Sequence, residues 1–199
     1  LTAISVSEDS ANITAVTLGL SAVTYGPGGG SDETSQTLSY SISAIPNFIQ
    51  LYKIDGTTQV TTSTTGLSIT DIQGLKYKTL SNANGSGSIS ITVTDNGGTS
   101  NGGVNSLTEN LSITVTAVND APVASSSATL ATIDEDTAGP SGDTISNLFG
   151  TSANFSDATD EIAGGSNANT FLGIAISSYT VDATKGNWQY STNGGSSWT

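Results

Sequence analysis

Alternation of apolar and hydroxyl-bearing residues restricts this chain more than any other feature. It runs through Ser88-Ile89-Ser90-Ile91-Thr92-Val93-Thr94, through Leu111-Ser112-Ile113-Thr114-Val115-Thr116-Ala117-Val118, and more briefly through Leu38-Ser39-Tyr40-Ser41-Ile42. A period of two turns every second side chain to the same face of a pleated strand, so each stretch has one face for a core and one for water. The β-branched residues that dominate these stretches favour strand over helix. No long stretch carries an apolar stripe at helical spacing. Between the strands lie turn clusters: Gly26-Pro27-Gly28-Gly29-Gly30, Asp55-Gly56, Asn84-Gly85 and Asp95-Asn96-Gly97-Gly98. Short strands punctuated roughly every ten residues by such turns predict an all-β chain built as a β-sandwich.

The 199 residues leave room for one large or two ordinary all-β domains. Acidic punctuation occurs twice in the same order. Ser7-Glu8-Asp9-Ser10 has a counterpart in Asp134-Glu135-Asp136-Thr137. Asp32-Glu33, ahead of the strand at Leu38, has one in Asp160-Glu161, ahead of Phe171-Leu172-Gly173-Ile174-Ala175-Ile176. This order predicts a divergent internal repeat. The first sandwich is expected over residues 1–118, a linker over 119–122 and a second sandwich over 123–199. The second copy has no counterpart of Ser88–Asp95 or of Leu111–Val118, so it is expected to lack its last strands. Either the chain is an excerpt of a longer array, or a neighbouring molecule supplies those strands by β-strand addition.

Charge narrows the function classes. Seventeen carboxylates face four lysines, with no His, for a net charge of −13. No basic footprint for nucleic acid can be assembled from four lysines, and an anionic membrane surface is equally unsuited. Crowded carboxylates call instead for cations. With neither Cys nor His, the chain has no disulfide, no thiolate metal site and no ordinary catalytic triad. An enzyme is not expected. The acidic runs lack the ligand spacing of an EF-hand, and Gly26–Gly30 is not followed by the Lys-Ser/Thr of a phosphate loop. A cysteine-free, acidic protein rich in Thr, Ser and Gly suits the exterior of a bacterium, so an extracellular or cell-surface location is expected, with no membrane insertion.

The linker Asn119-Asp120-Ala121-Pro122, the Glu8-Asp9 pair near the N-terminus and the strand ending at Asp95-Asn96-Gly97 resemble cadherin-type repeats. More closely, they resemble the bacterial cadherin-like and Ig-like tandem repeats of giant calcium-dependent surface adhesins. The resemblance implies Greek-key β-sandwiches in series with calcium ions clustered at the joints. It implies that Glu8, Asn119, Asp120, Asp157 and Asp160 are ligands at the joint after the first domain. Asp32 and Asp95 would face a preceding domain, and Glu135 a following one. Two features depart from the family's pattern: the aspartates stand as Asp157-Ala158-Thr159-Asp160 rather than one residue apart, and the Asp-Arg-Glu segment has no counterpart. The ligand chemistry is suitable, because calcium takes six to eight hard oxygens at about 2.3–2.6 Å.

The expected function is a calcium-stiffened structural or adhesive stalk of a large bacterial surface protein, whose partners are neighbouring repeats. A subunit of an extracellular filament, sheath or surface layer, paired with identical subunits, is the alternative. A carbohydrate-binding module is a third reading, in which Trp188, Tyr190 and Trp198 would stack on surface glycans. Trp188 and Tyr190 share a face at period two, and packing into a sandwich core is the expectation for them. Asn193-Gly194-Gly195 between these aromatics reads as a hairpin turn.

Overall fold

The structure is a computed structural model, and it describes the whole chain except residues 12, 29, 125–126, 152–153, 162–169 and 183. Among the described residues its regular structure is mostly β-sheet, with two short α-helices. The chain forms two compact units. Unit 1 comprises Leu1–Ala124 and Ser156–Thr170; unit 2 comprises Ser125–Phe155 and Phe171–Thr199.

Unit 1 holds two four-stranded sheets. The strands of the first are β1 (Ile4–Ser7), β3 (Leu38–Ala44), β7 (Gly85–Asp95) and β8 (Ser106–Thr116), in the order β1-β8-β7-β3. The second is ordered β2-β6-β4-β5, from β2 (Val16–Thr17), β4 (Ile49–Tyr52), β5 (Gln59–Val60) and β6 (Lys76–Thr79). The two longest strands, β7 and β8, are the segments with the clearest alternation, and they pair antiparallel from Gly85↔Val115 to Thr94↔Ser106. β1 runs parallel to the end of β8, from Ile4↔Ile113 to Ser7↔Thr116.

The register puts Ile89, Ile91, Leu111, Ile113 and Val115 on one side, all buried. They share a single core with Ile42 of β3 and with Ile49, Leu51, Val60 and Tyr77 of the second sheet. Two sheets closing on one core make unit 1 a two-layer sandwich. The opposite side of the first sheet is a net of hydroxyls: Ser43 bonds Thr92 at 3.1 Å, Thr92 bonds Thr108 at 3.0 Å and Ser86 bonds Thr114 at 3.0 Å. Gly85 opens β7 at φ +145°, with the Phe48 ring 3.1 Å from where a Cβ would stand, so backbone angle and packing both require glycine there.

Helix α1 (Ile69–Gln73) is set by a capping box. The Ser68 hydroxyl accepts from the Asp71 N–H at 3.1 Å, and the Asp71 carboxylate accepts from the Ser68 N–H at 2.9 Å. Ile72, fully buried, ties the turn to the core. After β8 come two short strands, β9 (Val123–Ala124) and β10 (Phe155–Ser156), and a 3-10 turn over Ala158–Glu161.

In unit 2, helix α2 (Ile145–Phe149) is capped by the Thr144 hydroxyl, and Phe155 meets Phe171 edge-on at 5.6 Å. Tyr190 and Thr199 exchange two backbone hydrogen bonds of 2.9 Å across the Asn193-Gly194-Gly195 turn, where both glycines have positive φ. The core placement expected for the nearby aromatics is not met. Trp188, Tyr190 and Trp198 are 70%, 63% and 46% exposed. No strand is assigned over Phe171–Ile176. Among the described residues unit 2 has no facing sheet to cover these side chains, and period-two patterning alone cannot bury a face. No helix among the described residues is long and apolar enough to cross a membrane.

Candidate functional site

Glu8 is the centre of the arrangement. It follows β1 directly and is only 3% exposed. Four segments hold it. Its N–H donates to the Thr116 carbonyl at 3.0 Å, continuing the ladder with β8. Its carbonyl accepts from the Thr79 hydroxyl at the end of β6. Its carboxylate accepts from the Val118 N–H at 2.8 Å and from Asn84 Nδ2 at 3.2 Å. Backbone and carboxylate of Glu8 together join β1 to β6, to β8, to the approach to β7 and to the exit from β8, and so fix where the chain leaves the sandwich.

The linker and the 3-10 turn bring further carboxylates. Asp120 donates its N–H to the Asp160 carboxylate at 3.1 Å, and the Asp160 N–H donates to the Asp157 carbonyl at 3.1 Å. Asp157 and Asp160 are both buried, at 5% and 4% exposure. Burial pushes the Asp120 carboxyl up from its ordinary value, and the charges of Asp9, Asp160, Glu8 and Asp157 push it the same way. The two ion pairs of the described residues, Lys53–Asp71 and Lys185–Asp182, involve none of these carboxylates. Asn119 is exposed and donates from its amide to the Asp120 carbonyl at 2.8 Å.

Of the eight residues expected from sequence, Glu8, Asp120, Asp157 and Asp160 therefore converge, with Asn119 beside them. Asp32 sits in an exposed turn. Asp95 ends β7 and accepts from the Gly97 N–H at 2.8 Å. Glu135 lies in an exposed turn of unit 2, unlike the buried Glu8 whose motif it repeats. Asn84 and Asp9 belong to the arrangement and were not expected. Asn84-Gly85 reads as an ordinary turn in sequence, and Asp9 stands out only as the neighbour of Glu8.

The donor set suits a hard cation in kind, since every polar atom it offers is a carboxylate, amide or backbone oxygen. Two of these atoms, Asp120 Oδ2 and Asn84 Oδ1, are buried without a hydrogen-bond partner. Burying such atoms is costly unless something binds them. The geometry is not a closed cage: among the described residues no group of three or more His, Cys, Asp or Glu side chains is assembled to hold a metal ion.

A separate polar pair lies at Tyr25. Its hydroxyl donates to the Glu109 carboxylate at 2.9 Å, and its ring meets Tyr40 at 5.9 Å. Burial, then the bond to Glu109 and its charge, pushes the Tyr25 phenol up to about 12. Burial also raises Tyr77. In an absorbance titration Tyr25 and Tyr77 should ionise late, and Tyr25→Phe should remove one late component. The fold favours the neutral phenol, so this contribution to stability is present below pH about 10 and lost as pH rises through about 12. A single tyrosinate transition near pH 10 would contradict the assignment.

Comparison of the chain with protein-family models, with curated proteins and with solved structures finds no match.

Proposed function

We propose that the chain is a structural or adhesive segment of a large bacterial extracellular protein, a stalk of tandem Ig-like, cadherin-like Greek-key sandwiches stiffened by calcium. The observation that carries this reading is the convergence of Glu8, Asp9, Asp120, Asp157 and Asp160 where the chain leaves the first sandwich; burial and then the charges of the other four raise Asp120. Strand order supports it. An immunoglobulin-type sandwich sets its third, sixth and seventh strands in one sheet against its second, fifth and fourth in the other. Counting β5 as an extra edge strand, β3-β7-β8 and β2-β6-β4 follow that plan, with β1 added beside β8.

Calcium would be held by Glu8, Asp120, Asp157 and Asp160, with Asn119 and the Asn84 amide oxygen as neutral donors. Bound there, it supplies positive charge and withdraws hard oxygens from mutual repulsion. The chain's own residues do the positioning. Glu8 pins the linker through Val118, and the backbone of Asp120 ties the linker to Asp160. Asp32, Asp95 and Glu135 are assigned to the joints with neighbouring repeats, and the reading gives the chain no catalytic step. Titration calorimetry on the metal-free chain tests it: calcium should bind saturably, and Asp120→Ala should weaken binding while Asp55→Ala leaves it unchanged. Asp55 serves its own turn, accepting from Thr57 and Thr58. No heat of binding at millimolar calcium would sink the proposal.

A further inference from the structure

Residues Thr170–Val181 read Thr-Phe-Leu-Gly-Ile-Ala-Ile-Ser-Ser-Tyr-Thr-Val, with no charged side chain. The composition is that of a strand, yet no ladder is assigned to it. Leu172, Ile174, Ile176, Tyr179 and Val181 are all exposed, Leu172 at 96% and Ile176 at 71%. Among the described residues no backbone hydrogen bond engages 171–181. An apolar, strand-forming segment whose backbone groups bond no described residue is a strand without a sheet.

Unit 1 displays a matching vacancy. β8 runs over Ser106–Thr116, and β7 covers one side of it as far as Ser106. On the other side β1 pairs only with Ile113–Thr116. The stretch Ser106–Ser112 thus has one open edge, where alternate residues turn their N–H and C=O outward. Exposed Leu107 and Val104 stand beside it. Its one charge, Glu109, is turned to the core side and bonded by Tyr25. On the edge of β3 the Tyr40–Leu67 bridge engages one residue pair, whereas among the described residues no pairing is found along the Ser106–Ser112 edge of β8.

We propose that residues 170–181 are a donor strand that adds to the Ser106–Ser112 edge of β8 in a second copy of this chain. A second copy is the occupant because the chain itself carries both the segment and the edge. Copies at −13 each repel overall, but along this contact no like charges meet, since the segment is uncharged and the edge's one carboxylate is turned inward. Length also suits. Twelve residues extend about 40 Å, ample for a seven-residue edge. Because donor and acceptor are different surfaces, the contact is heterologous and propagates head to tail unless it closes into a ring. This inference does not depend on calcium, and it is tested in chelator.

The natural absence of cysteine makes the test direct. Copies of the 199-residue chain carrying Thr108→Cys are mixed with copies carrying a single cysteine scanned over 172–180, then oxidised. Mixed disulfides should form at alternate scanned positions, and not when the first partner is Thr61→Cys, in a turn away from the edge. In sedimentation the unmodified chain should associate with concentration. Ile176→Pro, which removes an N–H that bonds no described residue, should weaken association at least tenfold with unchanged melting. A monomer at all concentrations, association indifferent to Ile176→Pro, or cross-linking no better than the Thr61→Cys control would each overturn the proposal.

Discussion

Ile91→Asn should destabilise unit 1 by about 4–6 kcal/mol, combining the loss of a buried aliphatic side chain with the burial of an amide that has no partner. Ile91 is fully buried in the middle of β7, the strand flanked on both sides by β3 and β8, and it lies opposite Ile42 and Glu109. Polar substitution there affects both sheets, because the side chain belongs to the core they share. A loss of this size consumes much of the roughly 5–15 kcal/mol by which a domain is usually stable. The denaturation midpoint measures it. Thr92→Ala, one residue along on the hydroxyl face, should cost well under half as much. Equal effects at the two positions would mean that the assigned register is wrong.

Calcium should raise the melting temperature of the metal-free chain by roughly 5–15 °C. Extracellular calcium modules bind with dissociation constants of the order of 10⁻⁴ to 10⁻³ M. At about a hundredfold excess over the tighter value, binding to the folded form alone contributes about 2.7 kcal/mol. In a unit of this size each kcal/mol moves melting by several degrees. Magnesium should do less, because it gives up its water reluctantly. Asp120→Ala should shrink the calcium shift, whereas Asp55→Ala should lower the starting temperature and keep the shift.

The pH dependence has a definite sign. Asp120 is raised in the fold, by burial and then by Asp9, Asp160, Glu8 and Asp157. The folded form therefore favours the protonated carboxyl. Its contribution is present below the ordinary aspartate range and lost as pH rises through the raised value. The calcium shift should accordingly grow over the same interval, since the ion competes with that proton. A calcium shift that stays constant as pH rises from the ordinary aspartate range would exclude Asp120 as a ligand.

The strands of unit 1 were legible because their signal is local. Ser88–Thr94 and Leu111–Val118 carry their own period, and the buried faces of β7 and β8 are the apolar faces of that alternation. The acids near the linker were legible as residue types. Their environments were not, because burial is decided by distant partners. Glu8 is buried by bonds to Thr79, Asn84, Thr116 and Val118, and nothing within a few residues of Glu8 announces them. Glu135 has the same acidic neighbours in sequence and lies exposed. Trp188 and Tyr190 show the converse: period two aligned them on a face, but among the described residues no opposing sheet covers that face. The sequence by itself determined strand character, the division of each strand into two faces, and an acidic chain in which seventeen carboxylates meet only four lysines. Only the tertiary structure decided which faces close on each other and which carboxylates are driven together, because both depend on pairings between residues as far apart as Glu8 and Val118.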